Sequence, residues 1–195
     1  EVDLCGHATL AAASVLFEEY LDARKTEVRF SSKSGELVAS KNDGMIYLDF
    51  PVDYPTHLEK NSLIPEALGI QPIGYYKGKF DILVEFPTER EIREIDPDYR
   101  LLERLNSRGL IATAPGVEVD FVSRFFAPQV GIDEDPVTGS AHTTLTPFWS
   151  ERLGKNDLDA QQLSSRGGRL HCKLLSDRVL IGGKTARYLS GFLNI

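Results

Sequence analysis

The chain has 195 residues, 42% hydrophobic and 26% charged, which is the make-up of a globular protein and excludes a disordered tail, a collagen-like repeat or a coiled-coil rod. At about 150 residues per domain, it has room for one large domain or two small ones. Lys+Arg 22 against Asp+Glu 29 gives a net charge of −7 with no basic cluster, and no apolar run approaches the roughly 20 residues that span a bilayer, so neither nucleic acid nor a membrane is an expected partner.

The opening residues, Glu1-Val2-Asp3-Leu4-Cys5-Gly6-His7, lack the charged and apolar regions of a signal peptide and read as the interior of a folded domain. Two cysteines, Cys5 and Cys172, build no disulfide framework, so a reducing, cytoplasmic setting is expected. Gly6 leads into a helix over 8–21 whose apolar Leu10, Ala13, Val15, Leu16 and Phe17 lie almost all round, the pattern of an enclosed helix. Strands are predicted over 27–31, 36–40 and 45–50, with turns at Ser34-Gly35 and Asn42-Asp43-Gly44. A short helix from Asn61/Ser62 to Leu68 ends at Gly69, and 80–86 (FDILVEF) is a strand. Asp96 is placed to cap a helix with Pro97 at its first position, running on to Gly109. Residues 118–126 alternate as a strand, 141–153 form a helix that Pro147 should bend, and 169–175 and 178–181 are strands.

One constant offset relates the two ends of the chain. Gly6 pairs with Gly139, an offset of 133, and the same offset without a gap pairs Ala8 with Ala141, Glu18 with Glu151, Ser31 with Ser164, Ser32 with Ser165, Gly35 with Gly168 and Leu37 with Leu170. Each copy reads as a glycine-bearing turn, an apolar helix and a run of strands. The boundary falls at 74–79, giving a first lobe over 1–77 and a second over 78–195. The second copy has about 55 residues ahead of its turn and the first has four ahead of Cys5, so equivalent copies imply on the order of 50 further residues upstream and an incomplete first lobe with exposed apolar helix surface.

Two helix N-termini, each opening on a tight turn, offer free N–H groups and a positive dipole end to a small carboxylate. Cys5 and His7 lie on the first turn, and Asp135, Thr138 and Ser140 on the second, which is the material of a proton-transfer site. Each also has a structural reading. His7 can satisfy its own turn, Asp135 before Pro136 is a turn former, Ser140 is an N-cap candidate, and Cys5 and Cys172 can be small buried hydrophobes. His57, His142 and His171 lack the spacing or acidic partners of a metal site, and no metal is assigned.

DLCGHATLA and GIDEDPVTGSAHTTL resemble the two signature stretches of the phenazine-biosynthesis PhzF-like family, and FSSKSGEL, DILVEF, SRFFAP and QLSSRGGRL follow the same family's pattern in order. The resemblance covers essentially the whole chain. It implies an α+β, diaminopimelate epimerase-like fold of two pseudo-symmetric lobes, each a mostly antiparallel sheet wrapped around a central helix, with the active site between them. It further implies a homodimer and a cofactor-independent isomerase that moves a proton on a small amino- or hydroxy-acid-like substrate. On matching positions His7 and Asp135 would be catalytic, and Gly6, Gly139 and Ser140 would bind the substrate carboxylate. The family's principal base is a Glu upstream of the CGHAT stretch, and Glu1 is too close to Cys5 to be its counterpart. A non-catalytic protein of the same fold that binds a small carboxylate is therefore the rival reading, and Cys5 as a lone racemase base is a third. The epimerase relatives place a Cys on each turn. Thr138 stands in the second place here, which excludes a two-thiol racemase.

Overall fold

The computed structural model describes residues 6–32 and 35–192, which form two compact units, Glu1–Asp49 with Gly182–Ile195, and Phe50–Ile181. This division differs from the 77/78 boundary read from the repeat, because residues 50–77 make their contacts within the second unit. Ile64, Leu68 and Tyr75 share a buried cluster with Val84, Phe86 and Ile92.

In the first unit, helix α1 (Gly6–Val15) widens into a π-helical turn over Leu16–Tyr20, closed by the Leu21 N–H on the Leu16 carbonyl at 2.9 Å. Strands β1 (Glu27–Ser32), β2 (Gly35–Asn42) and β3 (Met45–Pro51) form an antiparallel meander. Strand β2 alternates, burying Leu37 and Ala39. The helix is not enclosed as its composition suggests. Only Ala13, Ser14 and Phe17 are buried, while Ala8, Ala11, Ala12 and Val15 are exposed. Ala13 and Phe17 are one turn apart, so a single stripe of the helix is covered.

The second unit runs β4 (Thr56–His57), α2 (Leu63–Leu68), β5 (Gly74–Lys77), β6 (Ile82–Glu85), α3 (Glu89–Glu94), α4 (Tyr99–Leu102), β7 (Leu110–Pro115), β8 (Phe121–Ala127), β9 (Ile132–Glu134), α5 (Gly139–Leu153), β10 (Asp157–Gln162), β11 (Gly168–Leu174) and β12 (Arg178–Gly183). The sheet order is β12-β11-β10-β8-β7-β6-β5-β4, with β9 on β8. The β6–β7 and β8–β10 pairs are parallel. On one face Leu110, Ala112, Val122 and Phe126 pack with Ile64 and Leu68 of α2, Ile92 of α3 and Leu102 of α4. Toward α5, the Trp149 indole donates to Thr113 Oγ1 at 2.9 Å and its ring stacks on Phe121 at 5.8 Å.

Helix α5 is the centre of this unit. Its buried residues include the unbroken run 144–150, about two turns, so no face is left to solvent. Enclosure favours partners inside for its polar groups, and most have one, His142 Nε2 and Ser150 Oγ being the exceptions among the described residues. Thr146 Oγ1 donates to the His142 carbonyl at 2.6 Å, and Thr144 Oγ1 to Asp53 Oδ2 at 2.7 Å. Pro147 has no N–H for the carbonyl four residues back, that of Thr143, and the Asp53 backbone N–H takes its place at 3.1 Å. Cys172 is fully buried and its thiol is pushed up to about 12 by desolvation, as an inert core residue.

Several boundaries differ from expectation. Asp98, not Asp96, caps the helix ahead of Gly109, its Oδ1 accepting the Arg100 and Leu101 N–H groups at 3.0 and 3.3 Å, and that helix ends at Leu102. Helix α3 is not among the predicted elements, although Thr88 and Glu91 form a capping box. Strands β5, β7 and β10 are not among them either. The repeat itself holds. In both copies a helix is followed by three successive antiparallel or adjacent strands, and β2 and β11 begin at the offset positions Gly35 and Gly168. Ser31 and Ser164 are not equivalent, however. Ser32 pairs with Gly35 but Gln162 pairs with Gly168, so the second hairpin loop is longer and the connection before its first strand is correspondingly shorter. Among the described residues no helix is long and apolar enough to cross a membrane.

Burial of His142 carries a pH dependence. Its Nδ1–H donates to the Thr138 carbonyl at 2.8 Å, Nε2 has no partner among the described residues, and desolvation lowers the imidazole pKa from 6.5 to about 4. Between those values the unfolded chain binds a proton that the folded chain refuses, so stability falls as pH drops from about 6.5 towards 4, by on the order of 2–3 kcal/mol in all. His142→Asn keeps a donor for the carbonyl and removes the titration. The fall in urea midpoint between pH 7 and pH 5 should therefore be smaller in the variant than in the wild type.

Candidate active site

The turn before α5 is shaped from outside itself. The Asp135 N–H donates to the Phe125 carbonyl at 3.0 Å, which ties the turn to the end of β8. The fully buried Gln162, last residue of β10, then closes it: its Oε1 accepts the Thr138 N–H at 2.7 Å, and its Nε2 donates to the Asp135 carbonyl at 2.6 Å. Ser164, in the longer hairpin loop, donates to the Pro136 carbonyl at 2.7 Å and accepts the Gly167 N–H at 2.9 Å. Gly168 completes the seat, since a Cβ there would stand 2.5 Å from Val137 Cγ2. The QLSSRGG stretch is thus the cradle of the EDPVTGS stretch.

This cradle determines what the turn residues do. Thr138 occupies the N-cap position, but its hydroxyl donates to Asp135 Oδ2 at 2.6 Å and makes no cap hydrogen bond. Ser140 lies inside the first turn, so it is not the cap. The first-turn N–H groups of α5 therefore have no side-chain cap, and the positive end of the helix stands beside the Asp135 carboxylate and the Ser140 hydroxyl. Asp135 Oδ1 takes no partner among the described residues. Ser140 is half-buried, and its Oγ accepts from Arg108 Nη2 at 3.1 Å. Arg108 in turn forms a two-point ion pair with the buried carboxylate of Asp81. Asp135, Gly139 and Ser140 are thus brought together as the sequence suggests. The sequence reading does not single out Gln162, Arg108 or Asp81, although Gln162 opens the QLSSRGGRL stretch and Asp81 the DILVEF stretch.

The first copy supplies Gly6 and His7 at the start of α1, where His7 is exposed. Cys5 and Glu1, the residues on which the thiol and upstream-base readings turn, lie outside the described residues. No group of three or more His, Cys, Asp or Glu among the described residues is placed to hold a metal ion.

A mixed sheet around an enclosed helix, with an uncapped helix terminus beside a carboxylate, defines an α+β protein of the diaminopimelate epimerase-like fold. Residues 1–191 match the model of the family described as phenazine biosynthesis-like protein, and the chain belongs to that family. It is 47% identical over 195 residues to a Pseudomonas aeruginosa protein named as an uncharacterized isomerase, covering 100% of this chain and 74% of that one. The crystal structure of a PhzC/PhzF phenazine biosynthesis protein from Clostridium difficile superposes with a TM-score of 0.92 at 38% identity, covering 100% of this chain and 75% of that one. A PhzF-family structure from Enterococcus faecalis gives a TM-score of 0.90 at 43% identity, covering 94% and 70%.

Replacing the cradle amide tests its role. Gln162→Leu keeps the shape but leaves the Thr138 N–H and the Asp135 carbonyl without their partner. At about 1–3 kcal/mol for each stranded buried group, urea unfolding should show a loss of more than 1 kcal/mol. Stability unchanged from the wild type would show that the turn holds its own shape.

Proposed function

We propose that the chain is an isomerase that moves a proton on a small amino- or hydroxy-acid-like substrate without a cofactor. The reading is carried by the uncapped first turn of α5, whose cap residue spends its hydroxyl on Asp135 instead of on the helix. Free N–H groups at a helix start are suited to a carboxylate, and the Gly139 and Ser140 amides with the Ser140 hydroxyl would bind one here. Asp135 would then stand within reach of the bound acid. One carboxylate oxygen is fixed by Thr138 and the other is open to accept or return a proton. By the repeat, Gly6 and His7 hold the matching place at the start of α1, and His7 takes the second proton-handling role. Relatives named as isomerases support the class of reaction. The principal base is assigned to none of these residues.

The test is exchange of carbon-bound hydrogen. A panel of small amino and hydroxy acids is incubated with the protein in D2O and followed by proton NMR. At least one acid should lose its signal beside the carboxylate, and Asp135→Asn should slow that loss about 10²–10⁴-fold. Full-rate exchange by the variant would remove Asp135 from the mechanism. Binding of carboxylates at Gly139 and Ser140 with no exchange of any acid would favour the non-catalytic reading.

A further inference from the structure

Arg108 stands outside every motif, yet it is the cation whose nitrogen reaches the Ser140 hydroxyl. We infer that Arg108 is a positioning residue for carboxylate recognition: it occupies a lone pair of Ser140 Oγ and so turns the hydroxyl proton toward the ligand. The inference rests on the carboxylate reading above and adds to it the residue that sets the direction of the hydroxyl.

The guanidinium is fixed before it meets Ser140. Its Nε donates to Asp81 Oδ1 at 2.9 Å and its Nη2 to Oδ2, while the Arg108 backbone N–H bonds the Phe80 carbonyl at 3.1 Å. The plane lies near two rings, 5.2 Å from the Phe80 centroid and 5.8 Å from that of Phe125. Gly109 makes this approach possible, because a Cβ there would collide with the Phe125 ring. Phe125 also accepts the Asp135 N–H through its carbonyl, so one residue of β8 sets both Arg108 and the catalytic turn. Asp81 is 2% exposed and Arg108 is 35% exposed, which places the carboxylate inside and the arginine at the surface of the pair.

An ion pair made only to neutralise Asp81 would account for Nε and for one bond of Nη2. It would not account for the second bond of Nη2, the 3.1 Å contact with Ser140 Oγ. A serine hydroxyl has one proton and two lone pairs. The arginine N–H can only donate, so it takes a lone pair and leaves the proton for an acceptor. A carboxylate at the first turn of α5 is such an acceptor.

The experiment compares binding of benzoate and its neutral isostere benzamide by amide chemical-shift titration of the isotope-labelled full chain. The wild type should prefer benzoate. Arg108→Met should weaken benzoate about tenfold, the range of a lost charge-assisted hydrogen bond, and leave benzamide within about twofold. A merely structural role would move both ligands together. Arg108→Lys should recover part of the preference. Adding Ser140→Ala to Arg108→Met should weaken benzoate no further than about twofold, because the two residues act as one unit. A wild-type preference in Arg108→Met, together with a loss in Ser140→Ala, would overturn the role of Arg108 and leave the carboxylate reading standing. No benzoate preference in the wild type would overturn that reading and this inference with it, and a preference that Ser140→Ala leaves intact would overturn this inference alone. If Arg108→Met fails to fold because the Asp81 charge is stranded, the double variant Asp81→Asn/Arg108→Met replaces it. The same benzoate loss is then expected, and a retained preference overturns the role.

Discussion

A helix enclosed on every side cannot send its polar groups to water, and the second unit is arranged around that restriction. Helix α5 carries His142, Thr144, Thr146 and Ser150 into the interior together with Pro147. The chain answers with Asp53, whose N–H replaces the one that Pro147 lacks and whose carboxylate receives Thr144. The Asp53 carboxylate also accepts the Lys79 N–H, so a single residue ties the turn between β5 and β6 to the central helix. Once the helix is fixed along its length, its N-terminus can serve as a fixed point of charge.

The same economy governs the site. Thr138 would ordinarily satisfy the helix start with its hydroxyl. Here that hydroxyl holds Asp135, and the Thr138 N–H is satisfied from β10. Two structural readings of the sequence are thereby sorted. Asp135 is both a turn residue and a candidate for proton transfer, because one carboxylate oxygen serves each purpose. Ser140 is not a cap at all, which leaves its hydroxyl to Arg108.

What was legible in the sequence follows from range. Helices and hairpins signalled by glycine turns and periodicity, such as 141–153 and the three strands after α1, depend on neighbours in the chain and were read within a few residues. Strand β7, Leu110–Pro115, is buried along most of its length and has no alternation to betray it. Strand β10 reads DLDAQQ, a polar string whose buried positions are Leu158, Ala160 and Gln162. Its β character comes from pairing with β8 and β11 rather than from its own residues. Asp135, Gly139 and Ser140 stand together as candidates in the sequence because they lie within six positions of one another. Arg108 and Gln162 do not, since each meets the site from 24 or more positions away.

The parallel pairing of β8 with β10 has a consequence for the order of folding. The connection between these strands contains β9, the turn before α5 and the whole of α5, so the turn lies inside the loop that the pairing closes. Gln162 reaches Thr138 and Asp135 only once that loop has shut. Loop closure is an entropic cost met before the contacts that repay it. The segment 135–138 therefore takes its final shape with the closing of the sheet rather than with the growth of the helix it precedes. In kinetic terms the geometry of this turn is a late product of folding, assembled by the same event that encloses the core.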